Sequence, residues 1–150
     1  MKVLDVLRHA MRAPDADRLS PEGRAQAEDL GRETGAAYDV IFVSPAERAA
    51  ETAAWILRGA GRQLPDHRIV PGLAGKDETQ GSAKGMAAGV RALLAEVPED
   101  GLGLAVSHTP FVERAAAGLT GTEPPPFAEC EGIRVRLGDD EKVEVEELRR

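Results

Sequence analysis

The chain has 150 residues, of which 42% are apolar, 30% are charged and only 3% are aromatic, and its formal net charge is -7 at pH 7. This length suits one compact domain with an aliphatic core, so we expect a single domain over residues 1–150. The net negative charge argues against nucleic acid as a partner, because a surface that binds nucleic acid is broadly basic.

Membrane-spanning and secretory segments are not evident in the sequence. No apolar run approaches the roughly 20 residues that span a bilayer, and the first apolar segment is too short and is interrupted by Asp5. The single cysteine, Cys130, cannot form an internal disulfide, which suits a reducing compartment. The sequence therefore predicts a cytoplasmic protein that does not act at a membrane.

Apolar runs of strand length alternate with stretches of helical period along the chain. Strands are predicted at residues 3–7, 39–43 and 102–106, and helices at residues 21–34, about 46–57, 83–96 and 110–119. Apolar and polar residues alternate in 133–137 and 143–148 around a Gly-Asp-Asp turn, which predicts a hairpin. Together these elements predict a three-layer α/β/α fold with a mostly parallel central sheet.

Three of the predicted helices share a start signature. Ser20-Pro21, Ser44-Pro45 and Thr109-Pro110 each place a hydroxyl N-cap before a proline suited to the first helical position. In the second of these, Glu47 follows Ser44 by three residues, which is the spacing of a capping box. We therefore expect helices to begin directly after Ser20, Ser44 and Thr109.

Chemically active side chains follow the predicted strands at the point where each strand ends. Arg8 and His9 follow the first strand, and His108 follows the third. Arg48 lies in the first turn of the helix that follows the second strand. Because open α/β sheets bind ligands at the carboxyl ends of their strands, we expect these four residues to converge on one pocket.

The residue types in this pocket suit phosphoryl transfer. Arginine guanidinium groups match the oxygens of a phosphate, and a neutral imidazole can attack phosphorus. The arginines disfavour the imidazolium form of His9 and keep it nucleophilic, while a protonated His108 would stabilise charge on the phosphoryl oxygens. This scheme needs no metal and no cofactor, and the chain lacks the P-loop of nucleotide hydrolases.

A family resemblance rests on three segments, which are Leu7-Arg8-His9-Ala10, the run from Ser44 to Ala53, and Val106-Ser107-His108-Thr109-Pro110. In order and spacing these segments resemble the signatures of the histidine phosphatase (phosphoglycerate mutase-like) superfamily. Within it, the chain is most similar to the short SixA-type phosphohistidine phosphatases.

This resemblance implies a phosphoglycerate mutase-like fold and a role for each matching residue. His9 would become phosphorylated, while Arg8, Arg48 and His108 would hold the phosphoryl group. Arg18 resembles a further arginine on the substrate side of the family's pocket.

One position departs from the family pattern. Many members carry a glutamate general acid two positions after a leucine, where this chain has Gly75 in Leu73-Ala74-Gly75. Asp77 and Glu78 are the nearest candidates for a replacement acid. An alcohol leaving group needs a proton from the enzyme, whereas phosphohistidine leaves as an imidazole that can carry its own. The departure favours a phosphohistidine protein as substrate, with a phosphorylated small molecule as the alternative.

Other interpretations stay open at this stage. A phosphatase or mutase acting on a sugar phosphate or cofactor phosphate would need a competent acid, and a non-catalytic phosphate-binding module would keep the pocket without turnover. A zinc hydrolase is disfavoured, because His9 and His108 have no carboxylate or cysteine set at ligand spacing. His67 lies in a polar stretch, and we expect it to be exposed and to take no part in catalysis.

Overall fold

The computed structural model describes residues 1–35, 37–76 and 81–150 of the chain. Within these ranges the chain forms six strands and four α-helices, which are β1 (Lys2–Arg8), α1 (Pro21–Thr34), β2 (Val40–Val43), α2 (Glu47–Gly59), β3 (His67–Ile69), α3 (Ala83–Glu96), β4 (Leu102–Ser107), α4 (Phe111–Thr120), β5 (Gly132–Leu137) and β6 (Val143–Leu148). A 3-10 helix, Pro71–Ala74, lies between β3 and α3. No helix within the described ranges has the length and apolar character needed to cross a membrane.

The six strands pair in the order β3-β2-β4-β1-β5-β6. Strands β3, β2, β4 and β1 run parallel, whereas β5 is antiparallel to β1 and β6 is antiparallel to β5. In the register, Val6 of β1 aligns with Ala105 of β4 on one side and with Ile133 of β5 on the other. The predicted α/β fold with a mostly parallel sheet is confirmed, and β5 and β6 form the predicted hairpin.

Helices cover both faces of this sheet. Leu4 and Val6 of β1 belong to the core under α3 and α4, while Leu7 belongs to the core under α1 and α2. This division follows from the period of two along a strand, which sends successive side chains to opposite faces. Asp5 is buried on the same strand, and its carboxylate is bound by the Arg134 guanidinium, with the nearest N···O distance at 2.7 Å. A paired carboxylate therefore replaces an apolar residue in the middle of β1.

The helix starts agree with the sequence signature at one of three sites. The Ser20 hydroxyl caps α1 as predicted. The capping box at Ser44 is wrong, because α2 begins at Glu47 and has no cap from the side chain of its N-cap residue. Thr109 does not cap α4, which begins at Phe111. The Ser44 hydroxyl bonds to His108 and accepts a long hydrogen bond, at 3.3 Å, from the N–H of Ala46 just before the helix, while the Thr109 hydroxyl bonds to Glu113.

Strand β3 has no counterpart among the predicted strands. Its three residues are all exposed, so they carry no apolar alternation that could mark a strand. The strand forms against the outer edge of β2, where Ile41 aligns with His67 and Val43 aligns with Ile69. His67 is exposed, as predicted, and it lies on this edge strand.

Helices α1 and α2 approach each other closely enough to require glycine. Gly31 of α1 lies against the carbonyl oxygen of Ile56, and Gly59 of α2 lies against the carbonyl oxygen of Glu28. A Cβ atom at either position would overlap the backbone of the facing helix. The two helices are therefore held at a distance that no larger residue permits, which fixes how α2 sits beside the sheet.

Replacing Gly31 by alanine is expected to lower the free energy of unfolding by about 1 to 3 kcal/mol, because the added methyl group overpacks this contact. Gly89→Ala in α3 is the matched control, since a Cβ there meets nothing within 4 Å. It should raise stability by about 0.4 to 1 kcal/mol. Urea unfolding followed by far-UV circular dichroism measures both, and equal stability of the two variants would contradict the close contact.

Candidate active site

The ends of three neighbouring strands bring the candidate residues together. His9 follows β1, Ser44 follows β2 and His108 follows β4, and these strands are adjacent in the sheet. The ladder hydrogen bonds continue past the strands, since the His9 N–H donates to Ser107 O at 3.1 Å and the Ser44 N–H donates to Val106 O at 3.1 Å. The parallel sheet therefore fixes the backbone of the site.

His9 is buried and its ring is held at both nitrogens. Nδ1 lies 2.7 Å from the carbonyl oxygen of Ala10, an acceptor, so Nδ1 carries the proton. Nε2 then has a free lone pair, which accepts a hydrogen bond from Nε of Arg48 at 3.2 Å. Burial lowers the pKa of His9, and the charges of Arg48 and Arg8 lower it further against the effect of the Ala10 hydrogen bond. The imidazole is therefore neutral near pH 7, with its nucleophilic nitrogen directed at a guanidinium.

His108 is the second buried imidazole, and its ring centroid lies 5.1 Å from that of His9. Its Nδ1 lies 3.3 Å from Nη2 of Arg48, which can only donate, so Nδ1 accepts. Its Nε2 carries the proton and donates to Oγ of Ser44 at 2.7 Å. Burial, with the neighbouring His9 and Arg48, lowers the pKa of His108 to about 4. Without a bound anion, His108 is therefore neutral, in contrast to the protonated state expected when phosphate is bound.

Arg48 is held by Asp17, a residue that the sequence analysis did not identify. The Asp17 carboxylate accepts hydrogen bonds from the N–H groups of Glu47 at 2.9 Å and Arg48 at 3.2 Å, so it caps α2 from a distant loop. It also accepts from Nη1 of Arg48 at 2.8 Å. Partial burial favours the protonated carboxyl, but these hydrogen bonds outweigh it and hold the pKa of Asp17 below its usual range. No local pattern marks Asp17, because its partners lie about thirty residues further along.

Thr52 connects the backbone next to His9 to α2. Its hydroxyl donates to the carbonyl oxygen of Arg48 at 2.7 Å and accepts from the N–H of Ala10 at 3.0 Å. The residue is fully buried. Thr52 therefore fixes the backbone beside His9 relative to the helix that carries Arg48.

Arg8 lies beside the cluster rather than in it. Its Nη1 donates to the carbonyl oxygen of Phe127 at 2.8 Å, and its Nη2 pairs with Glu129 at 3.1 Å. Its Nε is buried and has no hydrogen-bond partner among the described residues. The Arg8 charge nevertheless contributes to lowering the pKa of His9 and of His108.

The remaining predicted residues differ in how far the structure locates them. Arg18 is exposed, and its side chain makes no ion pair or hydrogen bond within the described part of the chain. Asp77 and Glu78, the candidate acids, lie outside the described residues.

Gly75 has a left-handed backbone, with φ at 65°, and a Cβ there would lie 2.6 Å from Cζ of Phe111. The position of the family's usual acid therefore has no room for a side chain while Phe111 keeps its place.

A cavity of about 520 Å³ opens above the two histidines. Its polar lining residues are His9, Arg48, Lys76, His108 and Thr109, and its apolar ones are Pro45, Ala46, Ala74 and Phe111. In the described ranges, no three His, Cys, Asp or Glu side chains cluster in a way that could hold a metal ion. The arrangement instead presents guanidinium and imidazole donors with a nucleophilic nitrogen, which suits a tetrahedral oxyanion.

Comparison with known sequences finds a family similarity at this site. Residues 6–77 match the family model of the histidine phosphatase superfamily (branch 1), a stretch that includes both His9 and Arg48. Over these residues the chain carries the sequence pattern of the histidine phosphatase superfamily. No curated protein matches this chain significantly.

Solved structures share the fold of this chain. The protein histidine phosphatase SixA complexed with tungstate is 23% identical, with a TM-score of 0.73 over 98% of this chain and 96% of that chain. A phosphoserine phosphatase from Entamoeba histolytica, bound to phosphoserine, is 16% identical, with a TM-score of 0.75 over 97% and 95%. A phosphoglycerate mutase from Bacillus anthracis is 16% identical, with a TM-score of 0.72 over 98% and 92%. These likenesses confirm a phosphoglycerate mutase-like fold.

Removing the Asp17 carboxylate is expected to affect both stability and turnover. Asp17→Ala deletes the cap of α2, which should lower the free energy of unfolding by about 1 kcal/mol. It also frees the Arg48 guanidinium, so phosphatase kcat/KM should fall by about tenfold or more. Asp15→Ala, on the same loop and exposed, is the control and should change neither. Wild-type kcat/KM in Asp17→Ala would show that Arg48 does not depend on this carboxylate.

The pH at which His108 titrates provides a direct test of the site's electrostatics. Nuclear magnetic resonance of the imidazole signals should give a midpoint at about 4, because burial and the adjacent Arg48 disfavour the charged ring. Saturating orthophosphate should raise this midpoint, since a bound anion stabilises the imidazolium. The unfolded chain takes up this proton near pH 6.5, so His108 should also make folding less favourable as the pH falls from about 6.5 towards 4. A midpoint near 6.5 without phosphate would contradict the geometry described above.

Proposed function

We propose that this chain is a metal-independent phosphatase that hydrolyses phosphohistidine through a phosphoryl intermediate on His9. The observation that carries the proposal is the neutral His9 ring, whose Nε2 lone pair faces the Arg48 guanidinium at the base of the cavity. A phosphoryl group that replaces this hydrogen bond meets a nucleophile and a cation at the same point. The fold shared with the protein histidine phosphatase SixA supports the substrate class.

The reaction takes place in two displacements on phosphorus. In the first, Nε2 of His9 forms a bond to phosphorus while the bond from phosphorus to the substrate imidazole breaks and its electron pair passes to the leaving nitrogen. In the second, the oxygen of a water molecule bonds to phosphorus, the electron pair of the P–Nε2 bond returns to His9, and orthophosphate leaves with both protons of the water. Arg48 and His108 bear hydrogen-bond donors that stabilise charge on the transferring oxygens.

The remaining arginines have separate roles in this scheme. The buried Nε of Arg8, which has no partner among the described residues, supports a contact with a bound phosphoryl oxygen, because a buried donor is unfavourable while it stays unpaired. Arg18 is exposed on the loop that carries Asp17, and we propose that it contacts the substrate outside the phosphoryl site.

The lack of an acid in the described lining favours a nitrogen leaving group. No carboxylate is among the described residues that line the cavity, and a side chain at position 75 would overlap the ring of Phe111 where that ring now lies. An imidazole whose other nitrogen is protonated leaves as a neutral ring without a proton from the enzyme.

Phosphomonoester hydrolysis is the second candidate function. It is favoured by the fold shared with a phosphoserine phosphatase bound to phosphoserine. This activity requires a proton donor for the alcohol, and Asp77 and Glu78 are the candidates from the sequence. A phosphosugar or cofactor phosphate would also be a substrate under this second candidate, since its alcohol leaving group needs the same proton donor.

Trapping the intermediate tests the proposed chemistry. Mixing the protein with a ³²P-labelled phosphohistidine peptide and quenching in alkali should leave base-stable, acid-labile label on the wild-type chain. His9→Ala should carry no label, because the attacking nitrogen is gone. His67→Ala is the matched control, since His67 is exposed on β3, and it should carry the wild-type amount.

The same preparation separates the alternatives. Turnover of the phosphohistidine peptide in the presence of a chelator, with much slower release of phosphate from phosphoserine and sugar phosphates, is the expected result. Faster turnover of the phosphomonoesters would favour the second candidate. Binding of orthophosphate with no label on His9 would identify a non-catalytic module and overturn the proposal.

A further inference from the structure

Phe111 is the aromatic side chain that lines the cavity, and its position is set by the site itself. It is the first residue of α4, and its N–H donates to the carbonyl oxygen of His108 at 2.9 Å. The ring is only half-buried, so one part packs into the core while another part faces the cavity. The aromatic surface is therefore held at a fixed place relative to the histidine that binds the phosphoryl group.

Residues from two other parts of the chain lie next to the Phe111 ring. It occupies the space next to Gly75 that a side chain at that position would need. Arg114 places its guanidinium carbon 5.8 Å from the ring centroid and donates from Nη1 to the carbonyl oxygen of Gly81 at 2.8 Å. Gly75 and Arg114 therefore both adjoin the ring in the position where it lines the cavity.

The cavity that Phe111 lines has both apolar and polar walls. Ala74, Pro45 and Ala46 contribute side chains with no hydrogen-bonding group, while Lys76 and Thr109 contribute polar groups. In a displacement on phosphorus, the leaving group departs roughly in line with the attacking nitrogen and away from it. A leaving group expelled by attack of His9 therefore departs into this cavity, whose lining includes the ring of Phe111.

From this arrangement we infer that Phe111 forms a subsite for a planar heteroaromatic leaving group, the imidazole ring of phosphohistidine, which stacks on its face. The inference rests on the proposed function, because it assigns a surface to the group that the reaction expels. Offset stacking favours a flat ring over an aliphatic chain of the same size, and a protonated ring gains a cation–π contribution as well. Gly75 takes part indirectly, since a Cβ at that position would overlap the ring where it now lies.

Two small phosphoramidates isolate the effect of the ring. Phosphoimidazole carries the phosphorus-bound imidazole alone, whereas phosphoramidate has the same phosphorus–nitrogen bond and no ring. The measured quantity is the ratio of kcat/KM for phosphoimidazole to kcat/KM for phosphoramidate. We expect this ratio to fall by about five- to tenfold in Phe111→Ala.

Three further variants keep the test decisive. Phe111→Leu keeps an apolar side chain but removes the aromatic face, so it should lower the ratio even if Phe111→Ala does not fold. Phe111→Tyr keeps the face and should restore most of the ratio. Ile69→Ala changes an exposed apolar residue on β3 and should leave the ratio at the wild-type value.

The outcomes separate this inference from the proposed function. An unchanged ratio in Phe111→Leu, or an equal loss on both substrates, would overturn the leaving-group subsite while leaving the phosphatase intact. Failure of the wild-type chain to cleave either compound, with no label on His9, would overturn the proposed function and the subsite with it. A ratio that falls in Phe111→Leu and recovers in Phe111→Tyr supports the inference.

Discussion

The guanidinium group of Arg48 is the point on which the geometry of this site depends. It donates to His9, His108 and Asp17, so one planar group connects both imidazoles to the loop that caps α2. Because arginine has donors and no acceptor, each imidazole nitrogen that faces it must be unprotonated. The tautomers of both histidines therefore follow from one side chain, whose position in turn follows from where Asp17 makes α2 begin.

The charge balance of the site explains how an acidic chain can bind an anion. The chain carries a net charge of -7, yet Arg48 and Arg8 bring fixed positive charge to two buried imidazoles that are neutral. Carboxylates offset part of that charge, since Asp17 pairs with Arg48 at 2.8 Å and Glu129 pairs with Arg8 at 3.1 Å. A phosphoryl dianion would make protonation of His108 more favourable, so binding and proton uptake would be coupled in the same direction. In the proposed function, the attraction of the anion therefore comes from local donors and acts against the sign of the overall field.

Much of the fold follows from sequence patterns, and the exceptions share a cause. The alternation of strands and helices predicted the sheet and its layers, and three strand ends were enough to bring together His9, Arg48 and His108. The cap of α2 was assigned to Ser44 because local spacing suggested it, but the hydroxyl bonds to His108 and the carboxylate of Asp17 caps the helix. Strand β3 forms by pairing with β2, and the Arg8 side chain is held by Phe127 and Glu129. These partners are distant in sequence, so a local sequence pattern does not predict either feature.

The glycine at position 75 has a different meaning once the structure is known. In the sequence it marks the loss of an acid, which points only to what the site lacks. In the structure the same residue lies against the ring of Phe111, which lines the cavity, so the missing carboxyl group and the aromatic surface occur at one place. Under the proposed function an alcohol leaving group would be disfavoured on both counts, since it needs the proton and does not stack. An imidazole leaving group would be favoured on both, because it can carry a proton and presents a flat face.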